Sequence, residues 1–301
     1  MLKVMLWVVS NDGRFFNGAL SILERQHNGI ELVGVTAVAP IQIAKDGRNV
    51  PFVPLDKIIA WGGGYDILLV VGAKQIGMSK ITQAAKQLRL PEEKLLGDWI
   101  ACIPGFALKK YRQLQRSRLS IFAMNCFGGL ISNTLGLRFM SPFVNMFFNE
   151  QEYIRFLRAP RVYMEEKLIF KGTAWESNLK FDYPIFTLGN VDIHMNHYPD
   201  FDAAVKIWER RKQRINRYNL FVTAYTDSEE ILSEFDALPY GKKVCFVSFK
   251  SDLDSAWYIN PKITKHEYLW QKVNDFAKGL PFYYDPFDML LYGKKTPLID
   301  M

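Results

Sequence analysis

The sequence predicts an α/β protein of two domains: an N-terminal parallel sheet followed by a second α/β sheet domain. Three observations carry this reading. Apolar runs of strand length alternate with stretches of helical periodicity, the arrangement that builds parallel sheets. The alternation begins afresh at Leu119, after a basic stretch. Of 301 residues, 49% are hydrophobic and 23% charged, which suits two ordinary domains with real cores and not a disordered chain.

In the first domain, expected over residues 1–104, Leu2 to Val9 is a continuous apolar run of the kind buried on both faces of a sheet. Asn11-Asp12-Gly13-Arg14 stops it. With no basic lead and no small-residue cleavage site, the run reads as a strand and not as a signal peptide. Phe16, Ala19, Leu20, Leu23 and His27 fall at helical spacing, and Glu31 to Ala39 forms the next strand. Asp46-Gly47 marks a turn, and Asp66 to Gly72 is another buried strand. Ile76, Ile81, Ala84, Ala85 and Leu88 mark a helix stopped by Pro91. This order resembles the Rossmann-like domain at the front of sugar-modifying and capsule-synthesis proteins. The loop Ser10 to Gly18 lacks the G-x-G-x-x-G spacing that lets a backbone approach a pyrophosphate, so NAD is not an expected cofactor.

Residues 105–118 read as a basic linker helix, with Lys109, Lys110, Arg112, Arg116 and Arg118. Such a stretch is either a solvated helix or a surface that touches anionic lipid. The second domain, expected over residues 119–301, opens with a strand from Leu119 to Met124 and a helix beginning at Leu130 to Leu135. Phe143 to Phe148 is strand-like. Glu152, Tyr153, Phe156 and Leu157 mark a helix ended by Pro160, and Val191 to Met195 is a short strand. Asp200 caps a helix running to about Arg217, followed by strands at Leu220 to Ala224 and Val244 to Phe249. Thr264 and Glu267 form the capping box of a helix that Gly279 and Pro281 close after Lys278.

Composition narrows the classes of function. No apolar run approaches the ~20 residues that span a bilayer. Cys102, Cys126 and Cys245 are widely spaced and include no C-x-x-C pair. Neither a disulfide framework nor a structural zinc site is expected, and a reducing cytoplasm fits best. The net charge of +7 favours anionic partners. No nucleic-acid motif accompanies it, which leaves small phosphorylated ligands as the simpler partner.

Several motifs occur in a fixed order. They are Asn125-Cys126-Phe127-Gly128-Gly129, Ser141-Pro142, Tyr183-Pro184, Asp192-x-His194-x-x-His197-Tyr198, Trp208-x-x-Arg211-x-x-Arg214-Ile215-Asn216, Leu238-Pro239-Tyr240 and Lys243-Val244. Over about residues 119–249 this set resembles the domain-of-unknown-function family nineteen-nineteen, found in bacterial exopolysaccharide and capsule biosynthesis proteins. The resemblance implies a pathway; the chemistry has to come from the residues.

Ligands of open α/β sheets bind beyond the carboxyl ends of the strands. Asn125, Cys126, Gly128 and Gly129 follow the Leu119–Met124 strand, where backbone N–H groups at a helix start can face a phosphate. The same glycines also suit an ordinary tight turn. Period-two alternation puts Asp192, His194 and Asn196 on one face, with His197 just beyond. Together Asp and His can act as acid and base or help hold a divalent cation, although they do not define a metal site. Arg210, Arg214 and Arg217 share one helical face, and Arg211 lies nearer the apolar stripe. Arg211, Arg214 and Asn216 are the candidates for an anionic group, the alternative being a basic helix end that complements the helix dipole. Thr226 and Asp227 join the same edge or cap the following helix. Cys126 at a strand–helix turn is either a nucleophile paired with a histidine or a small buried residue.

These residues support three expectations. The first is a transferase acting on a nucleotide-linked or phosphorylated sugar or glycan. The second is a Cys/His acyl-transfer or hydrolytic enzyme. The third is a non-catalytic nucleotide- or sugar-binding module.

Overall fold

The chain, seen in a computed structural model that describes residues 1–45, 48–58, 64–177, 180–198, 200–263 and 265–299, divides into two units. One is Met1–Arg116 with Asn133–Leu137; the other is Ser117–Ser132 with Arg138–Met301.

In the first unit, β1 (Leu2–Val8) leads into α1 (Phe16–His27) and β2 (Ile30–Ala37). A short antiparallel pair follows, β3 (Ile43–Lys45) and β4 (Arg48–Val50), and the expected turn at Asp46-Gly47 lies outside the described residues. Then come β5 (Ile67–Val71), α2 (Ala73–Ile76), α3 (Met78–Gln87), β6 (Leu95–Gly97), α4 (Asp98–Ala101) and α5 (Leu108–Arg116). The sheet runs β2-β1-β5-β6, parallel throughout. Every residue of β5 is buried, which is why the strand reads as an unbroken apolar run. Asp98 is fully buried and accepts the N–H groups of Gly72 (3.0 Å) and Trp99 (2.9 Å). Burial pushes its carboxyl above the usual range, against the pull of these bonds. The basic stretch 105–118 contains α5, which buries Leu108, Tyr111 and Leu114 and leaves Lys109 and Arg116 exposed.

The second unit begins with β7 (Ser120–Ala123) and α6 (Phe127–Thr134), then α7 (Glu150–Arg158) and α8 (Pro160–Glu165). An antiparallel meander follows: β8 (Leu168–Glu176), β9 (Phe181–Leu188) and β10 (Val191–His194). After α9 (Phe201–Lys212) come β11 (Leu220–Thr226), α10 (Glu229–Asp236), β12 (Lys243–Val247), β13 (Ala256–Tyr258), α11 (Leu269–Lys278) and α12 (Pro286–Tyr292). The second sheet runs β13-β12-β11-β7, again parallel. The α/β class with a parallel first sheet is as expected; the second sheet is parallel as well, and the meander is an addition. One face of this sheet carries Phe122, Val222, Ala224, Cys245 and Val247 into a core shared with α7, α9, α10 and the meander. On the other face Phe246 meets Phe127 of α6 (5.6 Å between ring centres) and Phe276 of α11 (5.4 Å).

Several expectations need correction. Phe143 to Phe148 is not a strand. Asn145 sits at φ 64°, which breaks the extended run, and the segment's N–H groups bond singly to different partners. It is apolar because it crosses the core: Phe143 meets Phe122 at 4.9 Å, Phe156 at 5.1 Å and Trp208 at 5.8 Å. Pro160 starts α8 at its first turn, where its missing N–H costs nothing, as well as ending α7. Asp200 does cap α9, its side chain accepting from the N–H of Ala203 at 3.1 Å. The helix stops at Lys212, so Arg210, Arg214 and Arg217 do not share a helical face. Ser228 caps α10 in place of Thr226 or Asp227. The last long helix starts only at Leu269, with the Gln271 side chain accepting from the N–H of Tyr268 at 3.4 Å; Thr264 lies outside the described residues.

Among the described residues no helix is long and apolar enough to cross a membrane. Phe143→Ala is expected to lower unfolding stability by about 3–5 kcal/mol, the usual cost of emptying a buried aromatic site. The fully exposed Tyr218→Ala should change it by less than about 0.5 kcal/mol. Urea denaturation of both variants checks the difference. Equal effects would mean that the Phe143 segment is not part of the core.

Candidate functional site

The carboxyl end of β7 delivers Asn125 and Cys126, and the carboxyl end of β10 delivers His194 to His197. The irregular Phe147–Phe148 segment joins them. Phe148 donates to the Met124 carbonyl (2.9 Å), while Phe147 and His194 exchange both backbone bonds at 2.9 Å. Asn125 caps α6 by accepting from the N–H of Phe127 (3.0 Å) and reaches Asn274 of α11 at 3.2 Å. The glycines behind it serve close approach. A methyl on Gly128 would come within 3.2 Å of Ile121 on β7, and one on Gly129 within 2.8 Å of Val144. The open Cα faces of Gly128 and Gly129 are thus covered by protein, which is the tight-turn role the sequence also allows.

Cys126 is half-buried, and burial pushes its thiol up to about 11. The N–H of Met146 and the charge of Lys278 pull it down, and Glu176 raises it further. Among the described residues no hydrogen bond joins its sulfur to His194 or His197. A thiol in this state is protonated at neutral pH and lacks the base that would activate it.

On β10, Val191 and Ile193 point into the core, and Asp192 and His194 lie half-buried on the other face, as the alternation predicts. Asp192 forms an ion pair with Lys171 of β8, and its N–H donates to Glu152 at 3.1 Å. His194 stacks on Phe147 with ring centres 4.5 Å apart and planes 13° apart, and its buried Nδ1 has no partner. Burial lowers the pKa of both His194 and His197. Asp192 opposes the shift at His194, and Glu176 opposes it at His197. Glu176 also accepts from Asn196 at 3.4 Å. Cys126, Asn196 and His197 therefore share one carboxylate neighbour, which no sequence spacing links to them.

The arginines do not all join them. Arg211 donates to the Tyr198 hydroxyl at 2.7 Å and to the Val144 carbonyl at 3.3 Å, next to the Cys126 region. Asn216 lies at the opposite, amino end of β7. Its N–H donates to Ser120 Oγ at the first residue of β7 (2.8 Å), and its side chain donates to the Arg118 carbonyl (3.1 Å). At roughly 3.3 Å per residue, β7 separates Asn216 from Cys126 by more than a dozen ångströms. The convergence of glycine turn, histidine strand and arginine helix on a single crevice is thus only partial.

A cleft that sequence reasoning missed, apart from Asp227, opens at the carboxyl end of β11. Its volume is about 330 Å³, and it is lined by Glu150, Tyr225, Asp227, Ser228, Glu267, Tyr268, Leu269 and Trp270. Tyr268 and Trp270 leave 55% and 42% of their surface exposed, enough to present ring faces. Burial, then Glu150, raises the Tyr225 hydroxyl to about 12. Ser248 donates to Asp227. Among the described residues none of Glu150, Asp227 and Glu267 has a cationic partner within ion-pair distance. No group of three His, Cys, Asp or Glu among the described residues could hold a metal ion.

Residues 102–292 match the family model described as "Domain of unknown function (DUF1919)". An uncharacterized protein of Haemophilus influenzae is 30% identical over 193 residues, which is 59% of this chain and 84% of its own length. Aspartate semialdehyde dehydrogenase II from Vibrio cholerae aligns over 54% of this chain and 47% of that one, at 8% identity and a TM-score of 0.23. So slight a likeness carries no argument about fold or chemistry.

Two measurements check the electrostatics. Alkylation of Cys126, followed by peptide mass spectrometry, should stay slow at neutral pH and rise only toward pH 11; a midpoint at the ordinary thiol value would contradict the burial argument. Because the folded histidines have lowered pKa values, the unfolded chain takes up their protons first. Their contribution to stability is present above about pH 6.5 and is lost as pH falls below it. The unfolding midpoint should therefore drop between neutral and mildly acidic pH, and less steeply in His194→Phe, which keeps the ring stack but cannot titrate. An unchanged slope would show that His194 is not one of the groups responsible.

Proposed function

The chain belongs to the DUF1919 family, and from that premise we propose that it is a transferase of bacterial surface-polysaccharide synthesis acting on a phosphorylated or nucleotide-linked sugar. The ordered motifs, which resemble those of exopolysaccharide and capsule proteins, support the pathway. One observation carries the chemistry: the cleft at the carboxyl end of β11 combines two exposed aromatic rings with three carboxylates that, among the described residues, have no cation within ion-pair distance.

Each part suits a sugar. The apolar face of a sugar ring stacks on an aromatic ring. Ionised carboxylates only accept hydrogen bonds, and sugar hydroxyls supply the donors. The volume of about 330 Å³ sits at the small end of ligand sites, which run to roughly 300–1,000 Å³. In a transfer, Asp227 or Glu150 would take the proton of an acceptor hydroxyl as its oxygen bonds to the anomeric carbon. The phosphate would leave with the electron pair of the broken bond. The protonated thiol of Cys126 speaks against the acyl-transfer alternative, and His194 and His197 support the neighbouring backbone in this reading instead of reacting.

A panel of nucleotide sugars, with and without magnesium, should raise the thermal midpoint of the protein for at least one member. Trp270→Ala should weaken that ligand at least tenfold, and Asp227→Asn should bind it but lower transfer by about 10²–10⁴-fold. No response from any sugar, or full activity when Asp227→Asn is combined with Glu150→Gln, would remove the proposal.

A further inference from the structure

We propose that Arg138, Arg210, Arg211 and Arg214 form a binding site for a diphosphate group. The inference is independent of the sugar cleft, which uses none of these residues.

The four arginines come from three places in the second unit. Arg138 follows α6, Arg210 and Arg211 end α9, and Arg214 stands in the turn after it. Among the described residues none has a carboxylate within ion-pair distance. The neighbouring Lys212, by contrast, is paired with Glu209 at 3.0 Å. Arg211 is half-buried, yet its acceptors are a phenol and a carbonyl, both neutral. Its guanidinium lies over the Phe139 ring, 5.8 Å from the centroid, which fixes its plane. Phe139, next in the chain to Arg138, lies under the Arg211 guanidinium, and the N–H of Arg214 donates to the Arg211 carbonyl at 3.0 Å, so the four side chains start from neighbouring backbone. Burial first, then the charges of Arg138, Arg210 and Arg211, lowers the pKa of half-buried Arg214.

A helix dipole accounts for cations at the end of α9 but not for Arg138, which belongs to another segment. Like charges gathered without an acid repel one another, and an anion removes the repulsion. Guanidinium forks match phosphate oxygens two at a time. One phosphate monoester carries about −1.5 to −2 at neutral pH, roughly half of what four guanidiniums offset, so two linked phosphates fit better. The group can belong to a soluble molecule or to a lipid.

The test is calorimetric titration of the full chain with inorganic pyrophosphate at low ionic strength. Wild type should bind, less tightly as salt is raised. Arg138→Gln and Arg214→Gln together should weaken binding at least tenfold. Arg158→Gln, which only loses an ion pair to Glu234, should leave it unchanged. If the double variant does not fold, exposed Arg138→Gln alone still reads the site. Without ligand its midpoint should equal or exceed that of wild type, since it removes repulsion. Nucleoside diphosphates in solution, and vesicles with and without a prenyl diphosphate, then separate the two sources. Retention of wild type but not of the variant by either one supports the site. Absence of binding to pyrophosphate and to both sources, or equal binding by the double variant, overturns it. Trp270→Ala should bind pyrophosphate like wild type, so failure of the sugar reading would be seen separately.

Discussion

Three backbone hydrogen bonds from a segment that is neither helix nor strand hold the second unit's two sheets in register. Phe148 binds the end of β7, and Phe147 binds the end of β10 twice. In the same segment Phe143 fills the core, Val144 accepts from Arg211 and Tyr198, and the N–H of Met146 faces the Cys126 sulfur. A buried loop is costly because its polar backbone must find partners away from water. Here the partners are strand ends, and the loop in turn fixes where those ends point. The placing of Asn125, Cys126 and the histidines follows from these bonds.

Charge is sorted across the unit. Among the described residues, carboxylates with no cation within ion-pair distance gather in the cleft at the carboxyl end of β11, and arginines with no such carboxylate gather at the end of α9 and beside it. Kept apart, Asp227, Glu267, Arg138 and Arg210 face solvent, whereas Arg211 and Arg214 are half-buried without a carboxylate within ion-pair distance among the described residues, the kind of charge that marks a binding surface. Asp192 shows the contrast: it is half-buried on the meander, and Lys171 already pairs with it.

The sequence reveals what is buried uniformly and hides what is assembled from afar. β1, β5, β7, β11 and β12 are legible because strands covered on both faces need apolar residues throughout. β8 escapes notice because its burial is broken and Gly172 lies at an irregularity in its pairing with β9. Phe143 to Phe148 misleads for the opposite reason, since a core-crossing loop is as apolar as a strand. The arginine spacing runs on past Lys212, whereas the helix does not, so periodicity extends α9 too far. Of the site, Asn125, Cys126, Asp192, His194 and Asp227 could be located from strand ends. Glu150, Glu176, Tyr268 and Trp270 could not, because each comes from a distant element and no spacing links it to the rest.

The place of β7 has a consequence for how the chain folds. It is an edge strand, and its one sheet neighbour is β11. Leu220 pairs with Ser120 only after the helices and the whole meander between them have been made. During synthesis β7 therefore emerges with no strand to dock on. Closing so long a connection is slow, and an apolar segment left waiting is open to wrong partners. Until β11 arrives, the newborn second unit depends on whatever shelters Ile121 and Phe122, which makes this interval the point at which a chaperone would matter most.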